Sequence, residues 1–485
     1  MVPPSRIHVK NAGVVRRRGD YVLYWMLGAR RLRYNQGLER ALHWADELGL
    51  PLVVLEALNV DYPFAADRHH ALVIDGMADK VEPLARAGVR YHPYVEPSPG
   101  AGKGLLEAWW ARAAVVVTDE APLLFLPRLV AAAAARCPCR LEAVDSVGLV
   151  PLSAVAAPHS AAVHFRRAMQ KIIAGHLVEA PQADPLAGRV GRLAAAPEGL
   201  FTRWPAASPD LLARGPGALA ALPIDHSVAP VGLRGGPVAA EARLQRFLRQ
   251  GLPKYAEERS DVVADRASGL SPYLHHGQIA AWEVFDRVAA SVDWSIDRMA
   301  TKATASREGF WGMGPAAESF IDELIVWREL GYTTAYRMPD CTSYESLPAW
   351  ARATLDAHRD DPRPVRYGFE QLNQAETHDP VWNAAQRQLR RDGIIHNYLR
   401  MLWGKKIIEW TPSPEVALET MFSLNNRFAT DGRDPNSVSG ITWCLGRYDR
   451  PWAPVRPIFG SIRYMSSDST MKKMKLAPYL AEYAR

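Results

Sequence analysis

The strongest constraint in this sequence is a change of periodicity near its middle. In the first part, short apolar runs (Tyr21–Leu27, Leu52–Ala57, Val89–Val95, Ala114–Thr118 and Leu141–Val144) alternate with amphipathic stretches of helical period. That alternation is the signature of a doubly wound parallel sheet of the α/β class. From Glu241 onward no such run recurs, and helical segments follow one another at 241–250, 277–290, 316–331, 345–358, 380–391, 393–410 and 414–428. The second half is therefore expected to be all-α. Between the two, residues 181–240 lose periodicity and hold nine Pro and eight Gly, which suits a long wrapping linker. The expected organisation is an α/β domain over 1–180, a linker over 181–240 and a helical domain over 241–485.

With 485 residues, 48% hydrophobic and 23% charged, the chain has the balance of a soluble globular protein, which excludes disorder, collagen and a small disulfide scaffold. Cys137, Cys139, Cys341 and Cys444 lack the spacing of a zinc site and are too few for a disulfide framework. They read as reduced thiols of a cytoplasmic protein, with no metal site. Arg16, Arg17 and Arg18 precede an apolar stretch, Tyr21–Leu27, that is too short for a signal peptide or a membrane span. A formal charge of +6 permits nucleic-acid binding. Between Ile441 and Lys475 the charge is concentrated: Arg447, Arg450, Arg456, Arg463, Lys472, Lys473 and Lys475 face only Asp449 and Asp468. On charge alone this is also what a solvated basic tail looks like.

Gly100-Ala-Gly-Lys-Gly104 resembles a phosphate loop, but Pro97 and Gly104 stand where that motif needs Gly and Ser or Thr, so a sheet-to-helix loop is expected. Conventional hydrolase and dehydrogenase motifs are absent. The segment 393–410, with Asp392 as its expected N-cap, is stopped by Thr411-Pro412 and carries Arg400, Trp403, Ile407 and Trp410 at helical spacing. Trp403 and Trp410 lie two turns apart, about 10 Å along the axis. That spacing fits an aromatic core stripe. After the Ser413-Pro-Glu cap a further helix runs to Asn425-Asn426-Arg427 and opens into Thr430-Asp-Gly-Arg-Asp-Pro-Asn436. This loop suits either an Arg400–Asp431 ion pair lining a ligand site or a turn held by Asx hydrogen bonds. Ten of the fifteen tryptophans fall in this half.

These segments resemble the class II cyclobutane pyrimidine dimer photolyases of the photolyase/cryptochrome superfamily. The motifs that carry the likeness are Ser268-Gly-Leu-Ser-Pro-Tyr-Leu-His-His-Gly-Gln278, Glu323-Leu-Ile-Val-Trp-Arg-Glu-Leu330, Thr377-His-Asp-Pro-Val-Trp-Asn-Ala-Ala385, Leu399-Arg-Met-Leu-Trp-Gly-Lys-Lys406, Asp431-Gly-Arg-Asp-Pro-Asn436 and Arg456-Pro-Ile-Phe-Gly-Ser-Ile-Arg-Tyr-Met465. They occur in family order. The resemblance implies an FAD in the helical domain, active when reduced, and light-driven electron transfer to a pyrimidine dimer flipped out of UV-damaged DNA. A cofactor that carries the hard chemistry accounts for the missing acid–base motifs. A second, antenna chromophore of unassigned identity is possible in the α/β half.

By the same resemblance, Ser268, Gly269, Leu270 and Ser271 would cradle the FAD phosphates. Arg400, Asp431 and Asp434 would line the isoalloxazine, and Asn425 would face its N5 and favour reduced flavin. Trp403, Trp382 and Trp410, separated by 21 and 7 residues, match the proximal, medial and distal members of a photoreduction wire. Glu323 would hydrogen-bond the lesion, Trp327 and Trp443 would grip it by stacking, and Tyr398, Met401 and Arg259 would complete the pocket. The basic residues after Ile441 become phosphate contacts. The chain departs from the family at Arg259-Ser-Asp-Val262, at Gly269 and at Gly331-Tyr-Thr-Thr334. A monomer in the cytoplasm or nucleus is expected, neither secreted nor membrane-bound. The rival reading is a cryptochrome-like signalling flavoprotein without repair activity.

Overall fold

The computed structural model describes every residue except Leu123, Pro216, Asp265 and Arg485. The chain forms two compact units, each drawing on separate stretches: Met1–Ala156, Ile172–Gln245 and Leu270–Ser291 in one, and Ala157–Lys171, Arg246–Gly269 and Val292–Arg485 in the other.

The first unit is built on a six-stranded sheet of β1 (Ile7–Val9), β2 (Tyr21–Trp25), β3 (Leu52–Leu58), β4 (Arg90–Val95), β5 (Ala113–Asp119) and β6 (Arg140–Val144), in the order β1-β6-β5-β2-β3-β4. β2 to β6 pair in parallel and coincide with the five apolar runs of the sequence. β2 and β5 are buried at every position, as Val-rich central strands covered on both faces must be. β1 was not legible in the sequence: it is three residues long, lies antiparallel on β6, and is not buried. The strand order reverses between β2 and β5, the switch point of the sheet. There Asp119 ends β5. Its Oδ2 accepts the backbone N–H groups of Leu27, Gly28 and Ala29 at 2.9, 2.8 and 2.9 Å, and its Oδ1 accepts the Tyr24 hydroxyl at 2.7 Å.

The Pro- and Gly-rich stretch 181–240 is less featureless than its composition suggests. It contains the short helices Leu200–Arg203 and Pro209–Leu212. Ala194, Leu200 and Trp204 join the core behind β2 and β5, and the Trp204 indole donates to the Ala101 carbonyl at 2.9 Å. The glycine-rich segment 100–104 connects β4 to the helix Leu105–Trp110.

In the second unit the described residues form no strand. The segment expected as a helix over 316–331 is one helical run from Pro315 to Arg337, interrupted by a π-turn at Asp322–Trp327. The helix Pro380–Asp392 is capped by Asp379, whose carboxylate accepts the N–H of Val381 and Trp382, both at 3.0 Å. Asp392 does not cap the following helix, contrary to expectation. It is the last residue of its own helix, because Gly393 at φ 72° takes the left-handed C-terminal position. The next helix, Asn397–Trp410, is capped instead by His396, whose Nδ1 accepts the Tyr398 N–H at 3.3 Å. Ser413 caps Pro414–Phe428 as the sequence indicates. The helices Pro435–Cys444, Ser467–Lys473 and Ala477–Glu482 were not anticipated. No helix among the described residues is long and apolar enough to cross a membrane.

Candidate active site

The helix Asn397–Trp410 and the loop before Pro435 are drawn together by Thr430, whose N–H and hydroxyl both donate to the Gly393 carbonyl, at 2.8 and 3.0 Å. Arg400 then meets Asp431, Nη2 to Oδ1 at 3.3 Å, with both side chains largely buried. The two readings of this loop turn out to be compatible. Asp434 makes the Asx hydrogen bond to the Asn436 N–H at 2.8 Å and N-caps Pro435–Cys444, while Asp431 serves the ion pair. Asp434 also accepts the Tyr332 hydroxyl at 2.7 Å. Burial first, and then the Asp434 carboxylate, push the Tyr332 phenol well above its ordinary pKa. Tyr332 lies in the stretch Gly331–Thr334 that departs from the family, so this departure is built into the loop itself. Gly331 has its own reason: an added Cβ would stand 2.8 Å from Ser439 Oγ and 2.9 Å from Asn436 Oδ1.

Asn425 is buried at the end of Pro414–Phe428. Its side-chain Nδ2 donates to Asn426 Oδ1 at 3.4 Å, and its side-chain carbonyl is of the kind that accepts from an N–H donor of a ligand. Arg400 likewise spends one N–H on Asp431 and offers the rest of its guanidinium. A redox-active ring with an N–H donor and anionic character fits this pair.

Ser268 and Gly269 close the Arg246–Gly269 stretch of the helical unit, whereas Leu270 and Ser271 open the Leu270–Ser291 stretch of the α/β unit. Gly269 adopts φ 65°. Glycine takes this left-handed conformation at no steric cost.

The tryptophans form a ladder. Trp382 lies between the other two, with its ring parallel to Trp403 (6.5 Å between centroids, 2° between planes) and edge-on to Trp410 (5.6 Å, 72°). Trp403 and Trp410 are 2% exposed and Trp382 is fully buried, so all three also serve as core. The Trp382 indole donates to the Trp403 carbonyl at 3.0 Å and the Trp403 indole to Gln386 Oε1 at 2.9 Å. At the other end, Trp410 meets Tyr367 at 5.3 Å and the exposed His378 at 5.5 Å.

A second group gathers on the π-turn. Glu323 and Trp327 both project from it; Glu323 pairs with Arg259, and Trp327 stacks on Trp443 at 4.7 Å and 17°. Burial raises the Glu323 carboxyl pKa, against the pull of Arg259. The two half-buried indoles face each other, so they present a joined platform with no slot for a base between them. Met401 reaches the helix that carries Trp443, with its Sδ 4.0 Å from Cys444 Sγ. Tyr398 is half-buried one turn before Leu402. Single π-turns recur at functional sites, because the extra residue re-aims the side chains around it.

The basic C-terminal stretch divides. Arg450, Arg456, Arg463, Lys472, Lys473 and Lys475 are exposed, with Arg450 and Arg463 over the Trp452 ring at 4.8 and 5.1 Å and Arg456 over Tyr464 at 4.8 Å. Arg447, expected as a phosphate contact, is buried: its Nη2 donates to the Cys341 and Ser346 carbonyls, both at 3.1 Å, and to the Ser346 hydroxyl at 2.5 Å. It holds loops together and is not available to a backbone phosphate.

In the sequence Tyr332 stood out only as part of the departing stretch Gly331–Thr334, and Gln386 did not stand out. The signal for Gln386 was its position four residues after Trp382, on the same helical face.

No family model matches the sequence. Among curated proteins, the chain is 32% identical over 486 residues to a deoxyribodipyrimidine photo-lyase of Methanothermobacter thermautotrophicus, covering 99% of this chain and 98% of that one. It is 34% identical to the deoxyribodipyrimidine photo-lyase of Oryza sativa, covering 99% and 90%, and 29% identical to that of Potorous tridactylus, covering 94% and 80%. Among solved structures, a bacterial class III photolyase from Agrobacterium tumefaciens superposes with a TM-score of 0.67 at 18% identity, covering 96% of this chain and 86% of that one. A Synechocystis cryptochrome superposes with a TM-score of 0.67 at 15% identity, covering 96% and 88%. The chain belongs to the photolyase/cryptochrome superfamily, a family of FAD-binding proteins. Within it, the chain is an enzyme of the deoxyribodipyrimidine photo-lyase class, acting in DNA repair.

Proposed function

We propose that the protein splits cyclobutane pyrimidine dimers in DNA by light-driven electron transfer. The observation that carries this reading is the grouping of Glu323 and Trp327 on one π-turn, with Trp443 stacked against Trp327. A signalling flavoprotein has no need of a half-buried carboxylate beside an aromatic platform, whereas a flipped-out lesion needs both an apolar surface and a hydrogen-bond partner.

Bound FAD, when reduced and excited by blue light, would supply the electron that opens the cyclobutane ring and take it back afterwards. The chain's own residues would do the rest. Asn425 would hold a proton at flavin N5 through its side-chain carbonyl. Arg400 and Asp431 would fix charge beside the ring, with Asp434 held in place by Tyr332. Ser268, Gly269, Leu270 and Ser271 would bind phosphate oxygens. Trp403, Trp382 and Trp410 would carry an electron inward to reduce oxidised flavin. Glu323 would hydrogen-bond the lesion against the Trp327–Trp443 platform, with Tyr398, Met401 and Arg259 around it. Arg450, Arg456 and Arg463 would meet backbone phosphates, so binding should weaken as salt rises.

The test is dimer loss from a thymine-dimer oligonucleotide, in blue light and in darkness, with the chemically reduced holoprotein. Light-dependent restoration is expected. Bound, reducible flavin without repair would overturn the lesion assignment and favour signalling or another lesion.

A further inference from the structure

The ladder of indoles raises a question that its ring geometry does not answer: what becomes of the indole protons when a ring is oxidised. Removing one electron turns an indole N–H from a very weak acid into a far stronger one, of about carboxylic-acid strength. If a base stands at the nitrogen, the proton leaves, and the resulting neutral radical holds the hole where it formed. If no base is present, the hole stays a mobile cation. Proton transfer of this kind requires an acceptor of suitable basicity within hydrogen-bond reach.

At both inner rungs the acceptor is an oxygen of negligible basicity. The Trp382 N–H is aimed at the Trp403 backbone carbonyl (3.0 Å), and the Trp403 N–H at the side-chain carbonyl of Gln386 (2.9 Å). Gln386 is fully buried, and its orientation is enforced: its Nε2 donates to the Asn373 carbonyl at 3.3 Å, which turns the oxygen toward Trp403. One helix, Pro380–Asp392, supplies both the middle ring and, one turn later, the acceptor for the inner ring. An indole N–H buried without a partner would carry a desolvation cost, and a neutral imidazole at this place would remove that cost as well. The chain instead has the amide, which satisfies the donor without being able to take its proton.

We infer that Gln386 is a positioning residue for light-driven electron transfer, holding Trp403 in register while keeping its indole proton in place during oxidation. The inference rests on the reading of Trp403, Trp382 and Trp410 as a wire. One electron passes from Trp403 to photo-excited, oxidised flavin, leaving the Trp403 radical cation. Trp382 then gives one electron to Trp403, and Trp410 gives one to Trp382. Each indole that is refilled regains its original charge with its own proton still bound, and the hole resides on Trp410.

The experiment is flash transient absorption on the oxidised holoprotein, in water and in heavy water, for the wild type and for Gln386→His, Gln386→Leu and Trp403→Phe. The wild type should pass through a cationic tryptophan radical with no solvent isotope effect on the first transfers. A neutral radical at Trp403 in the wild type would overturn the proposal without any variant. Gln386→His can keep both hydrogen bonds, one ring nitrogen accepting from Trp403 and the other donating to Asn373, while adding a base. It should give a neutral radical, a solvent isotope effect and a photoreduction yield lower by about tenfold. Gln386→Leu removes the hydrogen bond that holds Trp403 without adding a base, so it should lower the yield less than Gln386→His does, with the radical still cationic and no solvent isotope effect. A loss in Gln386→Leu equal to that in Gln386→His would mean the residue is merely structural. Ultraviolet resonance Raman of the indole N–H gives a check that does not depend on electron transfer: the hydrogen-bonded Trp403 band should be lost in Gln386→Leu and persist in Gln386→His. Unchanged photoreduction in Trp403→Phe would reject the wire itself. Abolished photoreduction in Trp403→Phe, together with wild-type behaviour in Gln386→His, would reject only the role of Gln386.

Discussion

Each unit buries one lysine completely, and the two are treated differently. In the α/β unit Lys80 meets the Glu56 carboxylate at 3.2 Å and donates to the Gly76 carbonyl at 2.5 Å, while Glu56 also accepts the Tyr91 hydroxyl at 2.5 Å. In the helical unit Lys405 makes no carboxylate ion pair among the described residues: it donates to the Cys444 carbonyl at 2.6 Å, at the end of the helix that carries Trp443. Asp119 in the first unit has both oxygens engaged, whereas Arg400 in the second spends one N–H on Asp431 and keeps the others open. A polar group closed on its neighbours serves the fold, and one left open can receive a ligand.

Breaking the closed pair should have the largest effect. Glu56→Gln strands a buried ammonium and should cost about 3–5 kcal/mol of stability, read by urea unfolding; a loss below 1 kcal/mol would mean that Lys80 is already neutral. Lys405 gives the next largest effect, and it depends on pH. Burial pulls its ammonium down to about 8 from the ordinary 10.5. Between these values the unfolded chain binds more protons than the folded one, so stability should rise with pH across the window, by about 3 kcal/mol in all. Cys444, pushed up to about 11 by burial, opposes this above pH 9. Asp449 and Arg463 are the fixed charges nearby. The readout is therefore the difference between wild type and Lys405→Met, and a difference that is flat from pH 7 to 10.5 would show that Lys405 is not titrating there.

What was legible in the sequence follows the same division. The five parallel strands were readable because a buried central strand has to be an unbroken run of Val, Leu and Ala, while β1 failed because three half-exposed residues carry no period. Helix ends were less secure. Asp392 has the chemistry of an N-cap, but Gly393 beside it has the chemistry of a terminator, and the glycine wins because the left-handed position excludes most other residues. The π-turn at Asp322–Trp327 leaves no mark in composition, since one wider hydrogen-bonded turn uses the same residue types as an α-helix. The site was read mainly through resemblance, and resemblance gives identities without partners. It named Trp403 but not Gln386, and it could not tell the buried Arg447 from the exposed Arg450.

On the open side of the comparison, Glu323→Ala should lower dimer repair by about tenfold to a hundredfold, the worth of a hydrogen bond to a charged group, while flavin loading stays as in wild type. Loss of flavin instead would show that the Glu323–Arg259 pair is structural.

The smallest effect should come from Arg450, and it separates the two kinds of arginine most cleanly. Arg450 is exposed and lies over Trp452, so Arg450→Ala removes little packing and should change stability by less than about 1 kcal/mol. If it meets a phosphate, the slope of log affinity against log salt for double-stranded DNA should fall by about one unit, without altering the preference for damaged over intact duplex. Arg447→Ala should do the reverse: the three oxygens that its Nη2 now serves lose their donor, stability falls by about 2 kcal/mol or more, and the salt slope of whatever remains folded is unchanged. Equal slopes for wild type and Arg450→Ala would move the DNA contact off this face of the helical unit. A reduced slope in Arg447→Ala would mean that the buried arginine becomes exposed when DNA binds, and the distinction between closed and open polar groups would then fail at this position.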